Sequence, residues 1–182
     1  MLYNSANRSV VLYYMHNRSS ELEKPLEVLV GELLRMRGLR LAVAESCTGG
    51  LVSHLLTNVP GSSTYYIGSV TAYAYEAKVR ILGVSWGTLE KFGAVSEDTV
   101  LEMARGVRAA LAADIGISVS GIAGPTGGTP NKPVGTTWIG VSSPKKEYAR
   151  QFLFHGNRLA IKEQAAHAAL QLLAEHLQKV YV

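Results

Sequence analysis

Three side chains able to act as nucleophiles stand in a row at Ser46, Cys47 and Thr48, after the acid Glu45 and before Gly49 and Gly50. The apolar run "LAVA" precedes them, and "GGLVSHLLTNV" follows with helical spacing. A turn from the carboxyl end of a buried strand into a helix is where open α/β sheets place ligands. With a helix beginning near Thr48, the N–H groups of Thr48, Gly49 and Gly50 are free to hold an oxyanion beside a serine, as at a nucleophile elbow. The same residues also make an ordinary helix cap through Ser46 or Thr48, and spacing alone favours the cap. Cys47 reads as a small buried hydrophobe.

A second candidate is "SGIAGPTGGTPNKPVGT", residues 120–136, which follows an apolar strand and holds five glycines. Ser120, Gly124, Thr126, Gly127, Gly128, Thr129 and Lys132 offer hydroxyls, backbone amides and one cation, the makings of an anion nest. By composition this is equally a turn-forming loop. It lacks the Gly-Lys-Ser/Thr ending of a nucleoside-triphosphate loop and the helix that follows one.

A serine nucleophile needs a base, and no pattern nominates any of the five histidines. Lysine serves when desolvation lowers its pKa. Lys78 stands out, five residues after Tyr73 and three after Tyr75, where a strand gives way to a helix. There is no paired His/Cys spacing and no tight carboxylate cluster, so neither a metal nor a cofactor is expected.

The elements that must position these groups follow from periodicity. Leu22, Leu26, Leu29, Val30, Leu33 and Leu34 recur at helical spacing from Glu21, and Gly38 stops the helix. "LRLAVAE" reads as a buried strand, "YYIGSVTAY" as an alternating one, "YEAKVRILGV" and "SWGTLEKFG" as short helices. Ser96, with Glu97 and Asp98 behind it, caps a long helix through Leu111. "DIGISVSGI", "GTTWIGVSS" and "KEYARQFLF" are strands, and Asn157 caps a last helix to about Gln178. The order α-β-α-β-α-α-α-β-β-β-α predicts a three-layer α/β/α sandwich with a mixed, mostly buried sheet. Residues 21–182 read as one domain, preceded by an N-terminal arm over 1–20 that has no helical period.

Composition narrows the classes. The net charge is +4, and its 18 lysines and arginines are spread thinly rather than along one stripe. That disfavours nucleic acid and suits, weakly, an anionic small molecule. No stretch reaches the length of a membrane span. One cysteine precludes an intrachain disulfide and fits a reducing, cytoplasmic setting. Self-association as a homo-oligomer is expected at this size, while the alanine-rich face of the last helix is read as packing on the sheet.

Five stretches carry a resemblance. "AESCTGG", "YEAKVRILGV", "GAVSEDTVLEMARGVR", "SVSGIAGPTGGTPNKPVGTTWIG" and "GNRLAIKEQAAHAAL" occur in that order, and over about residues 25–178 the chain resembles the CinA C-terminal domain family, whose enzymes are nicotinamide-nucleotide amidohydrolases. The resemblance implies hydrolysis of the carboxamide of nicotinamide mononucleotide to nicotinic acid mononucleotide and ammonia, with Ser46 as nucleophile and Lys78 as base. It implies amides near Thr48 and Gly49 for the oxyanion, and Tyr73 either orienting Lys78 or stacking on the pyridine. For the substrate it implies the loop from Gly124 to Thr129, Lys132 and Arg158 around the 5′-phosphate, with Glu45 and Ser120 beside them. The family commonly reads "YSNEAK" where this chain reads "YAYEAK", so Tyr75 replaces a small amide next to the candidate base. Two other readings stand beside it: a non-catalytic nucleotide-binding or regulatory module of the same fold, and a metal-dependent phosphoanhydride hydrolase built on the 120–136 loop.

Overall fold

A computed structural model describes residues 24–181. The expected arm over 1–20 lies outside them. The first helix, α1 (Leu26–Arg37), starts later than its apolar spacing from Glu21 suggests: Lys24 and Pro25 are not helical, and Pro25 occupies the N-cap. Proline drives the residue before it out of the helical region. The helix ends at Gly38, whose φ of 62° is the left-handed conformation that glycine adopts freely.

The remaining elements keep the expected order. They are β1 (Leu41–Glu45), α2 (Leu51–Thr57), β2 (Tyr66–Thr71), α3 (Tyr75–Leu82), α4 (Trp86–Phe92), α5 (Glu97–Ala110), β3 (Ile115–Gly121), β4 (Thr136–Ser142), β5 (Glu147–Leu153) and α6 (Arg158–Val180). Ser96 caps α5 by accepting from the Thr99 amide at 3.3 Å, and Asn157 caps α6 by accepting from that of Ala160 at 3.0 Å. A short 3₁₀ turn, Ser62–Thr64, follows the Pro60-Gly61 break.

The five strands form one mixed sheet in the order β2-β1-β3-β4-β5. β1 is parallel to both its neighbours, and the β3–β4 and β4–β5 pairs are antiparallel. Alternation along β1 sends Leu41 and Val43 to one face and Ala42 and Ala44 to the other. The first face packs under α1, α2 and α6, and the second under α3, α4 and α5. The central strands β1, β3 and β4 are buried almost throughout, whereas the edge strands β2 and β5 are half exposed. Small residues let α5 lie close on the sheet: a Cβ on Gly140 would stand 2.6 Å from the Val100 carbonyl oxygen.

Strand order places the site. β1 connects through α2 on one face to β2 on its left, and β2 connects through α3–α5 on the other face to β3 on its right. The crevice at such a reversal lies at the carboxyl ends of the strands. Register aligns those ends, with Glu45 opposite both Thr71 and Val119. No helix among the described residues is long and apolar enough to cross a membrane.

Candidate active site

Ser46 is the first residue beyond β1, and hydrogen bonds continue the ladder past the strands to hold it. Its amide donates to the Val119 carbonyl at 3.0 Å, and the Glu45 carbonyl accepts from the Ala72 amide at 2.9 Å. The ends of β1, β2 and β3 are thereby locked side by side, with Ser46, Ala72–Tyr73 and Ser120 as neighbours.

Lys78 comes from the first turns of α3. Helical side chains lean toward the N-terminus of their helix, so Lys78 reaches back over the end of β2. It is fully buried, at 0% exposure. Its Nζ donates to the Ala72 carbonyl at 2.7 Å, to the Tyr73 carbonyl at 3.1 Å and to Ser46 Oγ at 3.1 Å. Burial disfavours the ammonium and pushes its pKa down from 10.5 to about 8. The geometry also orients the neutral amine. With two N–H groups directed to the two carbonyls, the lone pair is left facing Ser46 Oγ.

Ser46 and Lys78 line a cavity of about 190 Å³ together with Cys47, Tyr73, Ala94, Val95, Ser120, Gly121, Ala123 and Arg158. Cys47 is nearly buried, and burial pushes its thiol up to about 11, so it stands there as a neutral side chain. Tyr73 is 60% exposed at the rim. Its carbonyl, not its phenol, touches Lys78; the phenol oxygen accepts from Arg158 Nη2 at 2.9 Å. Arg158 Nη1 donates to the Gly124 carbonyl at 2.8 Å, pinning the start of α6 against the glycine-rich loop.

The turn after Ser46 differs from the expectation of a helix near Thr48. α2 begins at Leu51, and Gly50, with φ 100°, is its N-cap. Its first amides are taken by Glu45, whose Oε2 accepts from Gly50 at 2.9 Å and Val52 at 3.1 Å and whose Oε1 accepts from the Ser53 amide at 2.9 Å. The Ser53 hydroxyl adds a fourth bond at 2.7 Å. Glu45, expected beside the substrate, is thus fully buried as the cap of α2. Of the three amides expected to hold an oxyanion, that of Gly50 goes to Glu45 and that of Gly49 donates to the Ser46 carbonyl at 3.2 Å. The amides of Cys47 and Thr48 donate to no backbone carbonyl, and both lie against the Cys47 sulfur.

The substrate-loop residues separate. Ser120 lines the cavity and Gly124 is tied to Arg158, but Thr126, Gly127, Gly128 and Thr129 are exposed and absent from its lining. Lys132 turns away, with Nζ donating to the Phe92 carbonyl at 2.7 Å. Phe92 leads into the segment that supplies Ala94 and Val95 to the cavity. Tyr75 braces the same wall, its phenol oxygen accepting from the Ala94 amide at 3.3 Å. Ala94 and Val95 are small apolar loop residues with no chemical signal in the sequence.

The model of the CinA C-terminal domain family matches residues 23–177. The chain belongs to that family. A CinA-like protein of Salinibacter ruber is 51% identical over 146 residues, which are 80% of this chain and 35% of that protein. Another from Chloroherpeton thalassium is 49% identical over 159 residues, 85% of this chain and 38% of its own length. The chain therefore spans little more than a third of these curated relatives. Among solved structures, the competence damage-inducible protein A of Klebsiella pneumoniae superposes with a TM-score of 0.82 at 37% identity, over 85% of this chain and 96% of that one. The competence or damage-inducible protein of Enterobacter asburiae does so with a TM-score of 0.80 at 40% identity, over 84% and 96%. The three-layer CinA architecture is common to them.

Proposed function

We propose that this CinA-family protein hydrolyses the carboxamide of nicotinamide mononucleotide, giving nicotinic acid mononucleotide and ammonia. The observation that carries the reading is Lys78 Nζ, fully buried, 3.1 Å from Ser46 Oγ. A buried lysine is costly and has a use where a base is wanted near neutral pH. The resemblance of the five motifs supplies the substrate.

In the proposed reaction, neutral Lys78 takes the Ser46 hydroxyl proton as Oγ bonds to the carboxamide carbon, and the carbonyl electron pair moves onto oxygen. The oxyanion is assigned to the backbone amide of Cys47, which lines the same cavity and donates to no backbone carbonyl. Collapse breaks the C–N bond, and the leaving nitrogen takes the proton from the Lys78 ammonium and departs as ammonia. Water then gives a proton to Lys78 as its oxygen bonds to the acyl carbon; the C–Oγ bond breaks, Ser46 Oγ takes that proton back from Lys78, and the freed acid ionises to the carboxylate. Incubation with nicotinamide mononucleotide, followed by chromatography and an ammonia assay, is expected to give the acid mononucleotide and ammonia one to one. Unaltered substrate after prolonged incubation overturns the reading and leaves a binding module of the same fold.

A further inference from the structure

A second cavity, of about 330 Å³, continues the lining of the first along the same two stretches of chain. Ser46 and Cys47 line the catalytic cavity, and Thr48, Gly49, Gly50 and Leu51 line the second. On α6, Arg158 lines the first, and Leu159, Lys162 and Glu163 line the second. Arg158 and Lys162 are four residues apart, one turn along one face of the helix. We propose that this second cavity holds the anionic end of the substrate, a phosphate monoester, with Lys162 Nζ as its counter-charge and the Thr48 hydroxyl as a hydrogen-bond donor. The assignment rests on the amidohydrolase reading and adds where the rest of the substrate lies.

Size asks for such a subsite. The catalytic cavity, at about 190 Å³, is smaller than the roughly 300–1,000 Å³ usual for small-molecule sites. The amide and the phosphate of a mononucleotide lie at opposite ends, so an amide at Ser46 puts the phosphate of the proposed substrate in an adjoining space.

A third cavity, of about 430 Å³, meets the first at Val95, but Glu97 and Asp98 in its lining repel an anion, so charge and hydrogen bonding favour the second. Lys132 is bonded to the Phe92 carbonyl, and Arg158, which spends two of its five N–H groups on Gly124 and Tyr73, lines the catalytic cavity itself. Half-buried Lys162 has no acidic or hydrogen-bond partner among the described residues. Its Nζ lies 3.6 Å from where a Cβ on Gly49 would stand, so the ammonium sits over the glycine turn. Thr48 is 1% exposed, and its Oγ1 is buried with no partner among the described residues. Such a group calls for a ligand or an ordered water. His54 also stands on the lining, its Nε2 3.3 Å from the side-chain amide nitrogen of Asn58. The first amides of α2 contribute nothing, being held by Glu45, so recognition falls on side chains. Glu163, the acid of this lining, is exposed.

The test compares ammonia release from nicotinamide mononucleotide and from nicotinamide riboside, which lacks the phosphate, in the wild type, Lys162→Met and Thr48→Val. Lys162→Met is expected to collapse the mononucleotide-to-riboside ratio of kcat/KM by about tenfold or more, through KM for the mononucleotide. Thr48→Val keeps the backbone amide and is expected to lower the ratio less. An unchanged ratio in Lys162→Met overturns the proposal. If the wild type turns over neither amide, the amidohydrolase reading has failed, and titration with inorganic phosphate followed by ³¹P NMR decides the subsite separately. Saturable binding that Lys162→Met removes upholds it; no binding, or equal binding in the variant, overturns it.

Discussion

Lys78 carries a cost that its surroundings only partly offset. Three acceptors surround Nζ, which satisfies an ammonium, yet burial still brings its pKa down to about 8. In the proposed reaction, the amine that takes the serine proton is the neutral form. The proposed kcat/KM should therefore rise about tenfold per pH unit below about 8 and level off above it. A profile measured with constant ionic strength checks this, and a flat profile between about pH 6 and 9 contradicts it. Residue types and collinear motifs nominated Ser46 and Lys78, and the fold brings them to 3.1 Å. What spacing hid was direction: nothing in "YAYEAK" says that Tyr73 meets the lysine with its carbonyl and the arginine with its phenol.

At the scale of elements, the turn after β1 shows why the rest of the site was harder to read. Glu45 ends a strand in a chemically suggestive stretch, so it reads as a ligand-binding acid. A carboxylate can instead fold forward over the glycines and cap a helix five to eight residues on, as it does with Gly50, Val52 and Ser53. This cap holds the glycine turn that presents Ser46. Glu45→Ala leaves three amides without their acceptor and is expected to cost about 3 kcal/mol of stability. Urea unfolding measures it, and a midpoint equal to the wild type contradicts the role. The 120–136 loop was legible as a loop, but composition cannot say which side of a loop faces a cavity. Lys132 went to a carbonyl 40 residues away in sequence, a contact visible only once α4 and the loop are packed together.

Across the whole molecule, periodicity predicted the element order and the mixed sheet well, because buried strands and capped helices announce themselves locally. Pairing across the sheet and the docking of α6 do not. His176 shows what that docking involves: it is 1% exposed on α6, with its ring 5.7 Å from those of Tyr148 and Tyr181. Ser143 donates its hydroxyl to the Lys146 carbonyl at 3.0 Å, so its oxygen accepts from His176 Nε2 at 3.2 Å and the bare Nδ1 is buried without a partner among the described residues. Burial, with the Lys146 charge, pushes its pKa from 6.5 down to about 4. The unfolded chain then binds the proton first, so stability falls as the pH drops through 6.5 and the loss is complete near 4. The expected loss is about 3 kcal/mol. Glu175, held low by Arg150, loses its contribution only below 4.5, which leaves the upper part of that window to His176. Denaturation measured against pH should show the slope in the wild type and not in His176→Leu; equal slopes contradict the assignment.

Whether Ser46 and Lys78 act as one unit is decided by ammonia release from Ser46→Ala, Lys78→Ala and the double variant, each verified as folded. Each single change is expected to cost about a thousandfold or more in kcat/KM, with the double variant no worse than either. A single variant retaining more than about a tenth of wild-type activity would contradict it.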